Sequence, residues 1–309
     1  MNNKNLLLIV NPKSGKAKMK NELLGVVGTF CEAGYCVCTY TTAARCDATD
    51  RILKIDKDNK PDLIVVCGGD GTLNEVITGL MKASLDIPIG YIPSGTLNEW
   101  SSGLGISRNI QKAAKDIVSG REIRLDIGRF SDKYFSYTAS FGAFTDASYS
   151  APQEVKNILG QAAYFFQGIK SLGNIKPIHL KISCEEKELD GEYLFGAVSN
   201  SMSVGGIVKF SDTVVKLNDG EFEVVLIKKP DNILKLQPVI DGILKRDLNR
   251  EGIEFFHTKR LTVTESENVS WTLDGEYAPG AQTIEIENMN LAIRLIVPGS
   301  AGELKNIKE

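Results

Sequence analysis

Two short apolar runs, Leu6 to Val10 and Leu63 to Cys67, constrain the fold more than any other feature of the sequence. The second run is apolar at every position, as expected for a strand of a parallel sheet that is covered by helices on both faces. Each run leads into a glycine-containing loop, and a segment with helical periodicity follows. Strands and helices that alternate in this way predict a parallel α/β sheet.

The first third of the chain continues this alternation. Two more strands are predicted at Tyr35 to Tyr40 and at Ile87 to Ile92. Helical patterns cover residues 17–33, 47–56, 72–81 and 110–118. Residues 1–122 are therefore predicted to form one α/β domain, and the tail of residues 300–309 could pack back onto it.

The pattern changes after about Arg121, because most later segments resemble strands. We predict strands at residues 121–130, 134–139, 179–184, 192–198, 222–228, 258–264, 282–287 and 291–297. A long amphipathic helix is predicted over residues 153–172, and a shorter one includes Ile233, Leu236, Ile240 and Leu244. Residues 123–299 are therefore predicted to form a second domain, a β-sandwich.

Composition excludes several classes of protein. The net charge of −3 argues against a protein that coats nucleic acid, and no apolar run approaches the roughly 20 residues that span a bilayer. The six cysteines include no C-x-x-C pair, so buried or partly exposed thiols in a reducing compartment are expected. The N-terminus lacks the pattern of a secretory signal, and we expect a cytoplasmic protein.

Three glycine-containing loops follow three of the predicted strands. They are Asn11 to Lys16, Gly68 to Thr72 and Pro93 to Thr96. Ligands of an open parallel sheet bind at the carboxyl ends of its strands, and glycines let backbone N–H groups approach a phosphate. The loops therefore predict phosphate or nucleotide binding, although each could also be a tight turn. Asp70 could bind phosphate through Mg²⁺ or hold its loop in shape.

The segment Gly71 to Glu75 is repeated in sequence at Gly95 to Glu99. Each copy contains Thr-x-x-Glu, the spacing of a capping box, with the threonine at the N-cap and the glutamate reaching back. Thr72 and Glu75 are therefore given mixed roles, in the helix cap and in nucleotide binding.

Six segments in this order resemble the diacylglycerol kinase catalytic-domain family, which includes bacterial soluble lipid kinases, sphingosine kinases and, more distantly, NAD kinases. They are Asn11 to Gly15, Gly68 to Glu75, Pro93 to Asn98, Ser140 to Asp146, Asn218 to Val224 and Leu273 to Glu276. The resemblance covers nearly the whole chain. It implies a Rossmann-like α/β domain related to NAD kinase, then a β-sandwich, with an active site in the cleft between them.

The resemblance also implies ATP and Mg²⁺ as cofactors and assigns roles to residues. Those expected around ATP are Asn11, Pro12, Lys13, Ser14, Gly15, Thr42, Gly68, Gly69, Asp70, Gly71, Thr72, Asn74, Glu75, Thr96 and Asn98. Glu276 is expected to be the general base, with Asp274 and Asp70 as further catalytic residues. A structural Mg²⁺ is expected on Asp219, with Lys216 and Glu221 contributing backbone carbonyls.

The carboxylates of Asp274 and Glu276 flank a single glycine. If this segment is a strand, residues two apart face the same side, and both carboxylates could point into one cleft. The alternative is an Asp-Gly hairpin turn with a solvated glutamate. Trp271, just upstream, is expected in the core or in the wall of a cleft.

The resemblance favours a kinase that phosphorylates a hydroxyl of a lipid. Glu99 stands where the family usually has aspartate, so two alternatives stay open: a kinase of a soluble acceptor such as NAD, and a nucleotide-binding regulator with weak catalysis. A lipid acceptor implies transient peripheral membrane contact. The candidate contact residues are Lys13, Lys16, Lys18 and Lys20, or aromatic residues near Phe141 and Phe144. A homodimer is also left open.

Overall fold

The computed structural model describes most of the 309 residues. The described ranges are 4–17, 19–95, 98–142, 176–204, 208–209, 215–232, 235–265, 269–299 and residue 307. The predicted helix over 153–172, most of the Ser140 to Asp146 segment and Thr96 lie outside them.

Helices of the described chain lie mainly in its first half. They are a 3-10 turn at Ser14–Ala17, α1 Met19–Glu32, α2 Asp47–Leu53, α3 Asp70–Ala83, α4 Glu99–Gly103, α5 Ile110–Ser119 and α6 Leu236–Lys245. The short helix α4 was not predicted from the sequence.

Strands extend over both halves of the chain. They are β1 Lys4–Val10, β2 Tyr35–Thr41, β3 Leu63–Gly68, β4 Ile89–Pro93, β5 Arg121–Phe130, β6 Lys133–Phe135, β7 Thr138–Gly142, β8 Ile178–Cys184, β9 Glu188–Ser199, β10 Ser203–Val204, β11 Val208–Lys209, β12 Phe222–Lys228, β13 Ile253–Thr258, β14 Arg260–Glu265, β15 Ser270–Leu273, β16 Glu276–Pro279 and β17 Thr283–Val297.

The chain forms two compact units. Unit 1 contains Met1–Asp126 and Leu291–Ile307, and unit 2 contains Ile127–Asn290 and Lys308–Glu309. The boundary therefore lies a few residues beyond the expected residue 122. Residues 291–297 belong to unit 1 and not to the second domain as expected, because the end of β17 pairs in parallel with β4.

Unit 1 is built on a parallel sheet with the strand order β2-β1-β3-β4-β17. Alternate side chains of β1 lie on opposite faces, and Leu6 to Val10 are all buried. On one face, Leu8 belongs to a cluster with Phe30 of α1 and Ala113 of α5. Helices α2 and α3 pack against each other, and α3 also packs on β3. The predicted parallel α/β architecture is confirmed.

Unit 2 is an antiparallel structure in which the long strand β9 belongs to two layers. One layer has the order β16-β15-β7-β9-β12-β13, and the other has the order β9-β8-β14-β17-β5-β6. A single core cluster contains residues from both layers, among them Phe141, Val224, Val263 and the fully buried Trp271. These features confirm the predicted sandwich and place Trp271 in its core.

Several strand boundaries of unit 2 differ from the prediction. The predicted strand 134–139 is two strands, β6 and β7, and the predicted strand 258–264 spans the junction of β13 and β14. Conversely, the predicted strands 282–287 and 291–297 are one strand, β17, with a local irregularity at Leu291, whose φ is +51°. The buried Asp126 accepts a hydrogen bond from the backbone N–H of Leu291 at 2.7 Å, which stabilises that irregularity.

The six cysteines all lie within the described residues and all have free thiols. Four of them, Cys31, Cys36, Cys38 and Cys46, are exposed, and this differs from the buried or partly exposed thiols that we expected. No helix in the described part of the chain is long and apolar enough to cross a membrane.

A buried carboxyl in unit 2 gives a prediction about stability. Glu265 accepts hydrogen bonds from Trp271 Nε1 at 2.6 Å and from the backbone N–H of Val269 at 3.0 Å. Burial nevertheless raises the pKa of Glu265, so the unfolded chain ionises this group at lower pH than the folded protein does. The stability contributed by the protonated carboxyl is therefore present below its ordinary pKa and is lost as pH rises toward the raised value.

We expect the free energy of unfolding of the wild type, relative to that of Glu265→Gln, to fall as the pH rises through this interval. Denaturant titrations at a series of pH values measure the difference. The exposed Glu186→Gln is the matched control and should follow the wild type. If the difference in unfolding free energy between the wild type and Glu265→Gln does not change with pH, the pKa of Glu265 is not raised by folding.

Candidate functional site

The loop after β1 is held by Asn11. Its backbone N–H donates to the carbonyl of Cys67 at 2.8 Å, and its Nδ2 donates to Thr72 Oγ1 at 2.9 Å. Asn11 Oδ1 accepts from the N–H of Lys13 at 3.0 Å, which forms an Asx turn. One asparagine therefore sets the shape of its own loop and joins it to the first turn of α3.

The three predicted loops pack directly against one another. A Cβ on Gly15 would lie 1.7 Å from the carbonyl oxygen of Ser94, and a Cβ on Gly95 would lie 2.6 Å from Cα of Gly69. Gly15 also has a φ of +54°, which favours glycine. The hydroxyls of Ser14 and Ser94 lie 2.5 Å apart and share a hydrogen bond. These glycines are therefore required for close packing between loops, whether or not a ligand binds.

Several other residues expected around ATP lie at the same edge of the sheet. Thr42 is buried just after β2, and its backbone N–H donates to the carbonyl of Val10 at 2.9 Å. Gly68 is the last residue of β3, and Gly71 is exposed in the first turn of α3. Pro12 is half-buried and follows β1. The structure thus brings these residues to the carboxyl ends of the strands, while their role in binding ATP stays a prediction.

Glu75 does not form the expected capping box with Thr72. Helix α3 begins at Asp70 with Gly69 as its N-cap, so Thr72 lies inside the first turn. The carboxylate of Glu75 instead accepts hydrogen bonds from the N–H groups of Cys46 at 2.9 Å and Ala48 at 3.2 Å. It therefore stabilises the start of helix α2, a role that the sequence spacing did not predict.

The second expected capping box involves Thr96, which lies outside the described residues. Helix α4 begins at Glu99, and its N-cap is Asn98. Asn74, in the first copy of the repeated segment, accepts a hydrogen bond from Thr78 Oγ1 at 3.2 Å.

Asp70 and Asn98 lie close to the hydroxyl of Tyr91, a residue that our sequence analysis did not single out. The Tyr91 hydroxyl is 3.4 Å from Asp70 Oδ1 and 3.2 Å from Asn98 Oδ1. The signal in the sequence is a single hydroxyl-bearing side chain inside an otherwise apolar strand.

The segment Asp274 to Glu276 is a hairpin and not a continuous strand. Leu273 of β15 pairs with Glu276 of β16, which leaves Asp274 and Gly275 as a two-residue turn. Their φ angles are +51° and +81°, as in a type I′ turn. The expectation that both carboxylates lie on one side of a strand was therefore wrong, and the hairpin alternative is the observed structure.

The two carboxylates of this hairpin have different surroundings. Asp274 accepts hydrogen bonds from the backbone N–H groups of Ser136, Tyr137 and Thr138, at 2.6, 2.9 and 3.0 Å. These bonds explain why the predicted strand 134–139 is interrupted there. Glu276, by contrast, is exposed as the first residue of β16.

The residues expected to hold Mg²⁺ lie in a loop of unit 2. Asp219 Oδ1 accepts from the N–H of Glu221 at 3.1 Å. Nearby, Asn288 Nδ2 donates to the carbonyl of Glu221 at 3.1 Å, while Asn288 Oδ1 is buried without a donor. Glu223 Oε2 is likewise buried without a donor. Burial, and then the charges of Asp219 and Glu221, raise the pKa of Glu223 to about 9.

The chemistry of this loop fits a hard divalent cation. Mg²⁺ prefers oxygen ligands and commonly keeps several waters, so backbone carbonyls and few side chains are sufficient. Buried oxygens that lack donors are what such a site presents before a cation binds. Within the described ranges, no group of three or more His, Cys, Asp or Glu side chains could hold a metal ion. A cation here would therefore rely on carbonyl or amide oxygens as well as carboxylates.

The two candidate membrane contacts have different outcomes. Phe141 is buried in the core, with its ring centroid 4.8 Å from that of Trp271, so it cannot contact a lipid surface as expected. Lys13 and Lys20 are exposed, whereas Lys18 and Phe144 lie outside the described residues. Membrane contact and a homodimer both stay predictions.

Comparisons with known proteins agree with this architecture. The sequence profile described as Diacylglycerol kinase catalytic domain matches residues 5–130. A Bacillus subtilis (strain 168) protein named diacylglycerol kinase is 33% identical over 297 residues, which cover 96% of this chain and 97% of the relative. A Staphylococcus aureus (strain MRSA252) protein of the same name is 30% identical over 271 residues, or 87% of this chain and 85% of the relative.

Solved structures with similar folds are also described as diacylglycerol kinases. Two solved structures from Bacillus anthracis str. Sterne, both described provisionally as diacylglycerol kinases, are 26% identical to this chain, with TM-scores of 0.78 and 0.77. They cover 96% of this chain, and the chain covers 98% and 95% of them. Because the similarity to the relatives extends through both units, the chain belongs to the diacylglycerol kinase family.

Proposed function

We propose that this protein is an ATP-dependent lipid kinase that transfers the γ-phosphoryl group of ATP to a hydroxyl of diacylglycerol or a related lipid alcohol. The observation that carries the proposal is the set of packed glycine loops at the carboxyl edge of the parallel sheet, with Asp70 at the start of α3. The family relationship supports the reaction class. A lipid is preferred to a soluble molecule as the acceptor because the named relatives are called diacylglycerol kinases. The similarity to the Bacillus subtilis relative extends over nearly its whole length.

The phosphates of ATP would lie against the loops of unit 1. Helix α3 has 14 residues and no side-chain cap, so its N-terminal N–H groups and the positive end of its dipole favour a bound anion. Gly69 and Gly71 allow phosphate oxygens to approach the backbone closely. Asn11, through its bond to Thr72, holds the first loop beside this helix terminus.

The proton of the acceptor hydroxyl would be taken by Glu276. Phosphoryl transfer depends on positioning, on neutralisation of charge and on a carboxylate beside the attacking hydroxyl. Glu276 is exposed and able to meet a substrate, whereas three backbone N–H groups already bond the carboxylate of Asp274. We therefore propose Glu276 as the base and give Asp274 the role of holding the turn that presents it.

Two further parts of the proposal concern Mg²⁺ and the membrane. Mg²⁺ bound with ATP would neutralise charge on the phosphates. A structural Mg²⁺ would be held at Lys216, Asp219 and Glu221, close in sequence or by hydrogen bond to Glu223 and Asn288, each of which has a buried oxygen without a donor. A lipid acceptor requires transient contact with a bilayer, for which the exposed Lys13 and Lys20 are candidates.

Replacement of the proposed base tests the reaction. We expect Glu276→Gln to lower the rate by about 10²-fold to 10⁴-fold, because the amide cannot accept the proton. ATP affinity measured by calorimetry should be unchanged. The assay is ADP release with diacylglycerol, ceramide, sphingosine and phosphatidylglycerol, with mass detection of the product.

The exposed Glu188→Gln is the matched control for this assay and should keep the wild-type rate. An unchanged rate in Glu276→Gln would remove Glu276 as the base. Phosphorylation of NAD or another soluble acceptor without lipid would overturn the choice of substrate class. ATP binding without turnover on any acceptor would instead favour a regulator.

Loop packing gives a second prediction. The Cβ of Gly95→Ala would meet Cα of Gly69 at 2.6 Å, so the loops must move apart and the affinity for ATP should fall about tenfold or more. Calorimetric titration with ATP and Mg²⁺ measures the effect. Gly28→Ala is the control, because a Cβ there has no neighbour within 4 Å. Equal ATP affinities for the two variants would show that nucleotide binding does not depend on the close packing of the loops.

The proposed metal loop gives a third prediction. We expect MgCl₂ to raise the melting temperature of the nucleotide-free wild type, because a ligand that binds only the folded state stabilises it. The increase should be smaller in Glu223→Gln, because a bound cation would favour the ionised carboxyl of Glu223 at the start of β12, and the amide cannot ionise. NaCl at matched ionic strength is the control for screening. A melting temperature that does not respond to MgCl₂ would contradict a cation site in this loop.

A further inference from the structure

We propose that Tyr91 is a positioning residue for Asp70. Its hydroxyl, carried on the internal strand β4, would hold the carboxylate of Asp70 in one orientation and join it to the loop that contains Asn98. The inference deepens the proposed function, because it concerns an acidic residue of the same nucleotide site.

The position of Tyr91 in the sheet limits its movement. Strand β4 lies between β3 and β17 and pairs with both, and Tyr91 is fully buried. Its neighbour Ile92 belongs to the core cluster under α1 and α5, so the side chain of Tyr91 lies on the opposite face of the sheet. The hydroxyl is thus supported by rigid secondary structure and not by a mobile loop.

Asn98 is fixed independently of Tyr91. Its Oδ1 accepts from the N–H of Gly95 at 2.9 Å, and its Nδ2 donates to the carbonyl of Gly95 at 2.8 Å. The carbonyl of Asn98 also accepts from Ser101 Oγ at 2.7 Å. These bonds fix the orientation of the amide, so Asn98 presents an acceptor oxygen to the tyrosine.

The Tyr91 hydroxyl therefore has one proton and two neighbouring acceptors, Asn98 Oδ1 at 3.2 Å and Asp70 Oδ1 at 3.4 Å. The oxygen of Asn98 is nearer, and the negative charge of Asp70 strengthens the attraction of the hydroxyl to the farther carboxylate. Burial, and then the charge of Asp70, raise the pKa of Tyr91, so the hydroxyl keeps its proton and remains a donor.

If Tyr91 only filled space in the core, removal of its hydroxyl would have little effect on the site. A buried phenol in a strand fills space through its ring, and phenylalanine would replace it with little loss. Among the described residues, the hydroxyl forms hydrogen bonds with Asp70 and Asn98, which belong to the segments that follow β3 and β4. Loss of this one oxygen should therefore affect the site more than it affects packing.

The test is a double-mutant cycle of Tyr91→Phe and Asp70→Asn. We expect Tyr91→Phe to lower kcat about tenfold with a smaller change in the KM for ATP, because a charge-assisted hydrogen bond orients the carboxylate. In the Asp70→Asn background the same substitution should cause little further loss. Calorimetric affinities for ATP with Mg²⁺ provide a second readout for the cycle that needs no turnover.

Tyr193→Phe is the matched control, because Tyr193 is another buried tyrosine but lies in unit 2. It should keep the wild-type rate and ATP affinity. Thermal melting of all variants shows whether they fold, and a Tyr91→Phe protein that melts like Tyr193→Phe yet loses activity supports a positioning role.

Two outcomes separate this inference from the proposed function. If Asp70→Asn lowers the rate and Tyr91→Phe does not, the positioning role is wrong and the site assignment stands. If Asp70→Asn has the rate and ATP affinity of the wild type, Asp70 is not part of the site. Losses that add independently in the double variant would also overturn the inference, because Tyr91 would then act without Asp70.

Discussion

Contact between glycine backbones in the loops of the parallel sheet is the constraint on which the rest of unit 1 depends. Gly69 and Gly95 come so close that a side chain on either would meet the other's backbone, and Gly15 is packed in the same way on Ser94. Parallel strands bring these loops to one edge, and the glycines then allow them to merge into a single surface. This packing of the loops holds the positions of Asn11, Asp70 and Thr72.

The sequence was sufficient to predict the order of most elements and the sheet edge at which the three glycine loops meet, because both follow from local periodicity and from the direction of parallel strands. The sequence did not predict which distant residues a side chain contacts. Glu75 caps helix α2, which begins 28 residues earlier at Asp47, and does not form the expected capping box with Thr72. Tyr91 was overlooked because an aromatic residue in a buried strand is ordinary.

The Asp274 to Glu276 segment shows a second limit of sequence reasoning. A pair of carboxylates around one glycine is compatible with a strand or with a hairpin, and the partners that decide between them, the N–H groups of residues 136–138, are far away in the chain. Glu223 was missed for a related reason. It lies within the apolar strand β12, where its burial among acidic neighbours becomes visible only after the loop before it has folded.

Strand β17 has a consequence for how the protein is made. Its end supplies the last strand of the parallel sheet of unit 1, although it follows residues 127–290 of unit 2 in the sequence. A ribosome that has synthesised residues 1–126 has therefore produced a sheet whose β4 edge still lacks its neighbour, and an open edge is a template for pairing with other chains. Unit 1 remains incomplete until synthesis is nearly finished, so it is completed later than its position at the amino-terminal end suggests.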